Sequence, residues 1–343
     1  IDFKDNTKGS LLLEPSRTNV LPYSNNYDEW TKGNTTVTSG QIGVGGSLDA
    51  WKLQKNASGG YIGRTGFSYD GVSTFSIFAK AGSVDWIRIT SQSGNFRFNV
   101  NLSNGEVGVT GSLVTSTSVE YYGNGWYRCT ATGDSLANGF YIKPAETDDN
   151  PSGVDGSIFI QNAQVETNSS YATSYIPTSG QANGVTRVGD VCNNGANEQV
   201  INSTEGVLYF EGSALADDGT DRKITLSDGS LNNAIIFGFS RFSGNINAEV
   251  KSGGVLQTFG FGATGIAQDN NNKFALSWGG GVGKFYVNGT LASSHTNVTS
   301  PIGMNALNFS LSSGFEKMFS NTKDLRVYNT ALTDQELIAL TTI

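Results

Sequence analysis

The chain has 343 residues, with 22 basic and 30 acidic side chains and a net charge of −8 at pH 7. No apolar run approaches the ~18 residues of a membrane-spanning helix, and an acidic chain without a basic stripe suits neither nucleic acid nor anionic membranes. Charged residues make up only 15% of the chain and Gly contributes 44 residues. This composition favours a turn-rich β protein, and at roughly 150 residues per domain the length predicts about two domains.

Short stretches of alternating apolar and polar residues run through the N-terminal half. In residues 73–80, Phe75 and Ile77 fall on one side of a predicted strand, and Thr74 and Ser76 fall on the other. Such alternation, bounded by Gly, Asn or Asp, indicates half-buried antiparallel strands. Further strands of this kind are predicted at 86–90, 95–102, 125–131, 139–143 and 157–161.

The pattern changes at residues 176–184, which lack alternation and carry several turn-forming residues. We place a linker at 179–204, between a first sandwich at 21–178 and a second at 205–343. Residues 1–20 are interpreted as a lead-in segment. Because the chain opens on Ile1 rather than Met and shows no signal peptide, it is expected to be a processed product or a fragment of a longer protein.

The second half repeats short strands at about ten-residue spacing, which is typical of a sandwich or barrel. They are predicted at 206–211, 223–226, 233–238, 246–250, 273–278, 284–288 and 324–328. Thr333 and Glu336 form the pattern of a capping box, so one short helix is predicted at the C-terminus, with Leu337 and Leu340 on one face. The predicted fold class is all-β, with two tandem antiparallel β-sandwich (jelly-roll) domains and one short C-terminal helix.

Two linked segments of the C-terminal half carry a family resemblance. Residues 278–290 read as a strand, a loop and a strand that ends in the Asn288-Gly289 turn, and residues 324–340 read as a strand followed by a short helix. The pair resembles a laminin-G-like, concanavalin A-like jelly-roll domain, over about residues 200–343. The resemblance implies a sandwich of a kind that occurs in lectins, in enzymes and in spacers.

The N-terminal half resembles a carbohydrate-binding-module-type jelly roll. The resemblance rests on residues 9–21, on Asn124-Gly-Trp-Tyr-Arg-Cys129, and on residues 158–166 running on to 173–178. Modules of this kind occur beside laminin-G-like domains in phage tail and fibre proteins and in marine bacterial surface proteins. The resemblance implies an extracellular or virion-surface location, partners among other virion proteins, and a homo-oligomer, with a trimer as the expected form.

A sugar-binding sandwich uses flat aromatic rings that stack on the apolar face of a pyranose, while neighbouring polar side chains bind its hydroxyl groups. Aromatic residues beside turns, some with an arginine close in sequence, are therefore the candidate platform. The candidate ligand-binding residues are Trp86, Arg88, Tyr121, Tyr122, Tyr61 and Arg64. Trp126 and Trp278 lie within predicted strands, and we expect both to pack in the cores.

Acidic residues cluster in one loop of the second half. Asp217, Asp218 and Asp221 offer several hard oxygen atoms, which is the ligand type that calcium prefers. Their spacing is not that of the twelve-residue calcium loop, and ordinary turn chemistry explains them without a metal. A structural calcium ion and a metal-free turn both remain open, and no other cofactor is expected.

Catalytic chemistry finds little support in the sequence. His295 is the only histidine, Cys129 and Cys192 are interpreted as lone thiols, and the acids on the predicted strands are isolated. Glycoside hydrolysis usually needs two carboxylates across the scissile bond. The main hypothesis is a non-enzymatic adhesion module that binds a glycan or a cell-surface receptor. The alternatives are a structural fibre or capsid-decoration subunit and a part of a secreted polysaccharide-degrading enzyme.

Overall fold

The computed structural model describes residues 9–67, 71–134, 139–150, 153, 155–258 and 262–343. They divide into two compact units. The N-terminal unit spans residues 16–188, and the C-terminal unit spans 189–343 together with 9–15. Both units are built of antiparallel sheets, so the predicted all-β fold class is confirmed.

The strands are given in chain order. Those up to residue 188 are β1 (Leu11–Leu13), β2 (Arg17–Asn19), β3 (Thr31–Gly33), β4 (Thr35–Gln41), β5 (Ala50–Lys55), β6 (Tyr61–Thr65), β7 (Ser73–Ala81), β8 (Trp86–Ser91), β9 (Arg97–Asn101), β10 (Val107–Thr110), β11 (Val114–Tyr121), β12 (Trp126–Gly133), β13 (Gly139–Ala145), β14 (Gly156–Thr167) and β15 (Val185–Arg187). Those beyond it are β16 (Gly206–Ala214), β17 (Arg222–Ser227), β18 (Ala234–Phe239), β19 (Ile246–Ser252), β20 (Val255–Leu256), β21 (Gly262–Ala263), β22 (Asn272–Gly279), β23 (Val282–Val287), β24 (Thr290–Thr296), β25 (Ala306–Asn308) and β26 (Ser320–Tyr328). One 3₁₀ turn (Tyr27–Glu29) and one α-helix, α1 (Asp334–Thr341), complete the described elements.

Two sheets form the N-terminal unit. A six-stranded sheet has the order β10-β9-β8-β13-β6-β3, and an eight-stranded sheet has the order β11-β12-β7-β14-β2-β15 with β5 beside β14 and β4 beside β5. Their inner sides share one apolar core, in which Phe75 and Ile77 of β7 pack with Ile87 and Ile89 of β8. Burial of each such side chain stabilises the fold by about 1.5–3 kcal/mol. The intervening residues of each strand point away from the core.

The C-terminal unit also has two sheets. One has the order β1-β26-β16-β22-β23-β24, and the other has the order β20-β19-β18-β17-β25 with β21 beside β19. Phe274 lies at the centre of its core, stacked on Phe210 and edge-on to Phe237, each at 4.8 Å between ring centroids. Strand β1 shows that part of the segment interpreted as a lead-in adds a strand to this unit. Likewise β15, within the stretch interpreted as a linker, pairs with β2 in the N-terminal unit.

The predicted C-terminal helix is confirmed as α1. The Thr333 side chain accepts from the backbone N–H of Glu336, whose carboxylate accepts from the backbone N–H of Thr333. Leu337 is buried against Val207 and Tyr209 of β16, so the helix covers the side of this sheet away from the main core. Within the described ranges, no helix is long and apolar enough to cross a membrane.

Candidate functional site

The outer side of the six-stranded sheet in the N-terminal unit brings together three of the six predicted ligand-binding residues, Tyr61, Trp86 and Arg88. Along β8, Ile87 and Ile89 enter the core, so Trp86 and Arg88 point outward between them. The same alternation on β6, β9 and β13 turns further polar and aromatic side chains to this side. We call it the β8–β13 face, and its residues are Tyr61, Trp86, Arg88, Arg97, Tyr141 and Lys143.

Two tyrosine rings lie against the sheet at one end of this face. Tyr61 and Tyr141 meet edge to face, with 5.0 Å between ring centroids and 84° between ring planes. Each ring covers a glycine on the neighbouring strand. A Cβ atom on Gly33 would lie 2.4 Å from the Tyr61 ring, and one on Gly63 would lie 2.5 Å from the Tyr141 ring. The two glycines therefore allow the rings to approach the sheet, and Trp86 supplies a third aromatic group, half-exposed on β8.

One carboxylate forms ion pairs with both arginines of the face. Asp149, in the loop after β13, lies 2.8 Å from Arg88 Nη1 and 3.2 Å from Arg97 Nε through its Oδ1 atom. Arg88 Nη1 also donates to the backbone carbonyl of Asp149 at 3.1 Å. The arginine side chains are only 17% and 27% exposed, so these contacts are partly shielded from water. The neighbouring Asp148 instead accepts from the backbone N–H of Val109.

Lys143 has a different environment. It lies directly opposite Arg88 in the β8–β13 pair, half-buried, with its ammonium 5.8 Å from the Tyr61 ring centroid. Among the described residues, no carboxylate is within ion-pair distance of it. Burial, and secondly the charge of Arg88, lowers the pKa of Lys143. Burial is also the main cause that lowers the pKa of Arg88, against the opposing effect of Asp149.

The structure separates Arg64 from the other predicted residues. Trp86, Arg88 and Tyr61 lie on the β8–β13 face, but Arg64 is three positions along β6 from Tyr61 and points to the other side of the sheet. Its guanidinium lies 5.0 Å from the centroid of the Tyr23 ring, and its Nη1 donates to the backbone carbonyl of Glu29 at 2.9 Å. Arg64 is therefore engaged within the unit.

Tyr121 is the last residue of β11 in the eight-stranded sheet, and Tyr122 follows it. Tyr121 is 59% exposed and Tyr122 is 41% exposed. The Tyr121 ring packs on Tyr127 at 5.2 Å, and the Tyr122 ring meets Phe78 edge-on at 5.0 Å. Tyr127 packs against the main core and Phe78 belongs to a cluster on the outer side of the sheet, so the two tyrosines contact opposite sides of the eight-stranded sheet and neither belongs to the β8–β13 face. Trp126 and Trp278, predicted to pack in the cores, are both buried.

Sequence reasoning missed three members of the face. Arg97, Tyr141 and Lys143 occupy the polar side of strands that were predicted from alternation, but no residue of the three stands beside a turn. The pairing of β13 with β8 brings Lys143 next to Arg88, and the pairing of β9 with β8 brings Arg97 next to Thr90. The available signal was the alternation itself, which places Tyr141 and Lys143 on the side opposite the core.

Each carboxylate of the acidic loop in the C-terminal unit has a partner within the protein, although the Oδ1 atom of Asp217 is buried without a hydrogen bond. Asp218 pairs with Arg222 at 2.7 Å, and Asp217 accepts from the Ser243 hydroxyl at 2.7 Å. Asp221 accepts from the backbone N–H of Arg241 at 2.9 Å. Within the described part of the chain, no group of at least three His, Cys, Asp or Glu side chains has a geometry that could hold a metal ion.

The groups considered for covalent chemistry are not on the strands of the face. Cys129 and Cys192 are both free thiols, as predicted, and burial raises the pKa of each. His295 lies on β24 of the C-terminal unit, with its Nε2 atom 3.4 Å from the Ser293 hydroxyl. Neither thiol nor the imidazole contributes to the β8–β13 face.

Comparisons with known proteins gave similar solved structures and one family match. A search of curated protein sequences gave no match. Among solved structures, the carbohydrate-binding module CBM40 of the Ruminococcus gnavus IT-sialidase is similar, with a TM-score of 0.37 and 14% identity over 45% of this chain and 96% of that chain. Domains LG4-5 of the mouse laminin α1 chain have a TM-score of 0.27 and 11% identity, over 88% of this chain and 96% of that chain. A tail fibre protein of an E. coli phage, gp63.1, has a TM-score of 0.23 and 13% identity, over 82% of this chain and 36% of that chain.

A family match locates one domain in the sequence. Residues 214–338 match the family model Laminin_G_3 of the concanavalin A-like lectin/glucanases superfamily. This stretch includes most of the two sheets of the C-terminal unit. Over residues 214–338, the C-terminal unit is therefore similar to concanavalin A-like domains of the Laminin_G_3 type.

Proposed function

We propose that the chain is a non-catalytic carbohydrate-binding module and that the β8–β13 face of the N-terminal unit is its binding surface. The observation that carries this proposal is the convergence of three aromatic side chains with three cationic ones on the outer side of a single sheet. The aromatic members are Tyr61, Trp86 and Tyr141.

The chemistry of the face matches that of a sugar. The C–H groups on one side of a pyranose are apolar and stack on aromatic rings, while its hydroxyl groups need hydrogen-bond partners. Arg88, Arg97 and Lys143 provide N–H donors beside the rings, and hydrogen bonds from charged donors are about twice as strong as neutral ones. Because all these residues lie on paired strands, the arrangement is held in place before a ligand arrives.

The face lies on the outside of a sheet, so a sugar bound there would remain partly exposed. Affinity at one site is therefore expected to be weak, since little area is buried against the lost freedom of the ligand. Several linked copies would raise the overall affinity, because a second contact within one assembly is effectively intramolecular. A homo-oligomer, with a trimer as the expected form, on a virion or another extracellular surface is part of the proposal. The low content of charged residues, 15%, and the polar surface support that location.

A glycan array probed with the full chain tests this proposal. Bound glycans would then be titrated against Trp86→Ala and Tyr141→Ala, with Tyr122→Ala as the matched control on the other sheet. Loss of one stacked ring should weaken binding about tenfold, or ~1.4 kcal/mol, in the first two variants and leave the control unchanged. Two results would overturn the proposal: a folded protein that binds no glycan, or binding that is lost only in Tyr122→Ala.

A further inference from the structure

Basic residues are concentrated in the six strands that carry the β8–β13 face. Five basic side chains and no Asp or Glu occur within these strands. The whole chain, in contrast, has 30 acidic and 22 basic residues. The five are Lys32, Arg64, Arg88, Arg97 and Lys143.

Two of these cations, Lys143 and Arg88, are placed so that their like charges destabilise the fold. Lys143 and Arg88 are directly opposite in an antiparallel pair, where like charges are destabilising. Asp149 lies against Arg88 and Arg97, and no described carboxylate pairs with Lys143. Departures from such local rules are expected at functional sites, where another partner compensates for them.

The aromatic rings fix where a sugar would lie relative to this charge. The Lys143 ammonium is 5.8 Å from the centroid of the Tyr61 ring, and the Tyr141 ring adjoins Tyr61. A sugar ring stacked on these tyrosines would present its substituents to Lys143 and, beyond it, to Arg88. An acidic substituent there would receive contacts from an ammonium and a guanidinium, the latter well suited to carboxylate and sulfate oxygens.

We infer that the β8–β13 face selects sugar units that carry a negative charge, as a carboxylate or a sulfate ester, and that Lys143 and Arg88 contact that charge. This inference rests on the proposed carbohydrate-binding function and adds its substrate class. Arg97 shares the Asp149 carboxylate with Arg88, which leaves Lys143 as the cation of the face without a carboxylate partner among the described residues.

To test the inference, the full chain is titrated with matched pairs of short sugars, and binding is measured by ligand-observed NMR. The pairs are trigalacturonic acid with its methyl ester, and a sulfated lactose with lactose. The charged member of at least one pair should bind about tenfold more tightly than the neutral member, a difference of ~1.4 kcal/mol. A preference for trigalacturonic acid over its methyl ester would identify the acidic group as a carboxylate. A preference for sulfated lactose over lactose would identify it as a sulfate.

Two variants distinguish binding at Lys143 from a general effect of the protein's charge. Lys143→Gln should reduce the preference for the charged member to less than about threefold. Lys80→Gln, at a half-buried lysine on the other sheet, should leave it unchanged. Equal binding of charged and neutral members, binding of neutral array glycans alone, or equal losses in both variants would overturn the inference and leave the proposed function standing. Absence of binding to every glycan on the array would instead overturn the proposed function.

Discussion

Replacement of Lys143 by Gln is expected to stabilise the protein, although it removes a contact for the ligand. Lys143 faces Arg88 across the β8–β13 pair, and opposed like charges cost about 0.2–1 kcal/mol. Gln keeps a polar side chain of similar length and removes only the charge. We therefore expect the free energy of unfolding to rise by about 0.5 kcal/mol, near the middle of that range.

The contact between Lys143 and Tyr61 opposes this gain. The ammonium lies 5.8 Å from the ring centroid, close to the outer limit of about 6 Å for a cation–π interaction. Its loss should therefore cost no more than about 0.5 kcal/mol. Repulsion from Arg88 in a half-buried position, where water screens it less, is expected to outweigh that loss.

Thermal unfolding of the full chain measures whether the relief of repulsion from Arg88 exceeds the loss of the contact with Tyr61. A gain of about 0.5 kcal/mol corresponds to a rise of roughly 1–2 °C in the Tm of a unit of this size. The rise should shrink in about 0.5 M NaCl, because salt screens the repulsion. Lys80→Gln should show no rise at either salt concentration. A lower Tm for Lys143→Gln, or a rise that salt does not change, would refute the reasoning.

The same repulsion gives a pH dependence with a definite sign. Burial and the charge of Arg88 lower the pKa of Lys143 below its ordinary value of 10.5. Between the lowered and the ordinary pKa, the unfolded chain binds more protons than the folded chain, so the stability of the unsubstituted protein rises with pH. The stability advantage of Lys143→Gln should therefore narrow as the pH approaches 10.5.

Three further substitutions test other parts of the structure. Asp149→Asn removes the carboxylate shared by two arginines and should lower the free energy of unfolding in urea by about 1–2 kcal/mol; an unchanged value would show that the contacts contribute nothing. Gly63→Ala should push the Tyr141 ring off the sheet and weaken glycan binding about tenfold, whereas unchanged titrations would place the sugar elsewhere. Thr333→Ala breaks the capping box and should lower the urea midpoint by an amount equivalent to about 1 kcal/mol, with Thr330→Ala, outside the helix, as the control.

Alternation in the sequence predicted about half of the strands, among them β7, β8 and β13, and it predicted which side of β7 faces the core. Phe75 and Ile77 were placed on a single side of a strand, and both are buried in the core. The alternation of β13 likewise separates Tyr141 and Lys143 from the buried Phe140 and Ile142. Local sequence therefore determined the period and facing of these elements, because burial of one side of a sheet enforces a period of two.

The order of the strands in the sheet could not be predicted from alternation. Strand β13 lies between β8 and β6, although both precede it by many residues, and only this long-range pairing brings Lys143 beside Arg88. Arg64 illustrates the opposite case. It was grouped with Tyr61 because the two are close in sequence, yet residues an odd number of positions apart on a strand point to opposite sides.

The net charge of the chain bears on the binding of extended polyanions, whereas the local charge around Lys143 bears on the binding of a single acidic sugar. A net charge of −8 argued against extended polyanions, because binding to their regularly spaced charges needs many cations along one path. A single acidic sugar is sensitive only to charges within about 8 Å at physiological salt, since more distant ones are screened. The strand beside Lys143 places Arg88 directly opposite it, and the strands of this sheet contain no Asp or Glu. The Asp149 carboxylate, from the loop after β13, pairs with Arg88 and Arg97. An acidic protein can therefore present a surface that favours one negative charge, and the register of three strands, rather than the composition, determines where that surface lies.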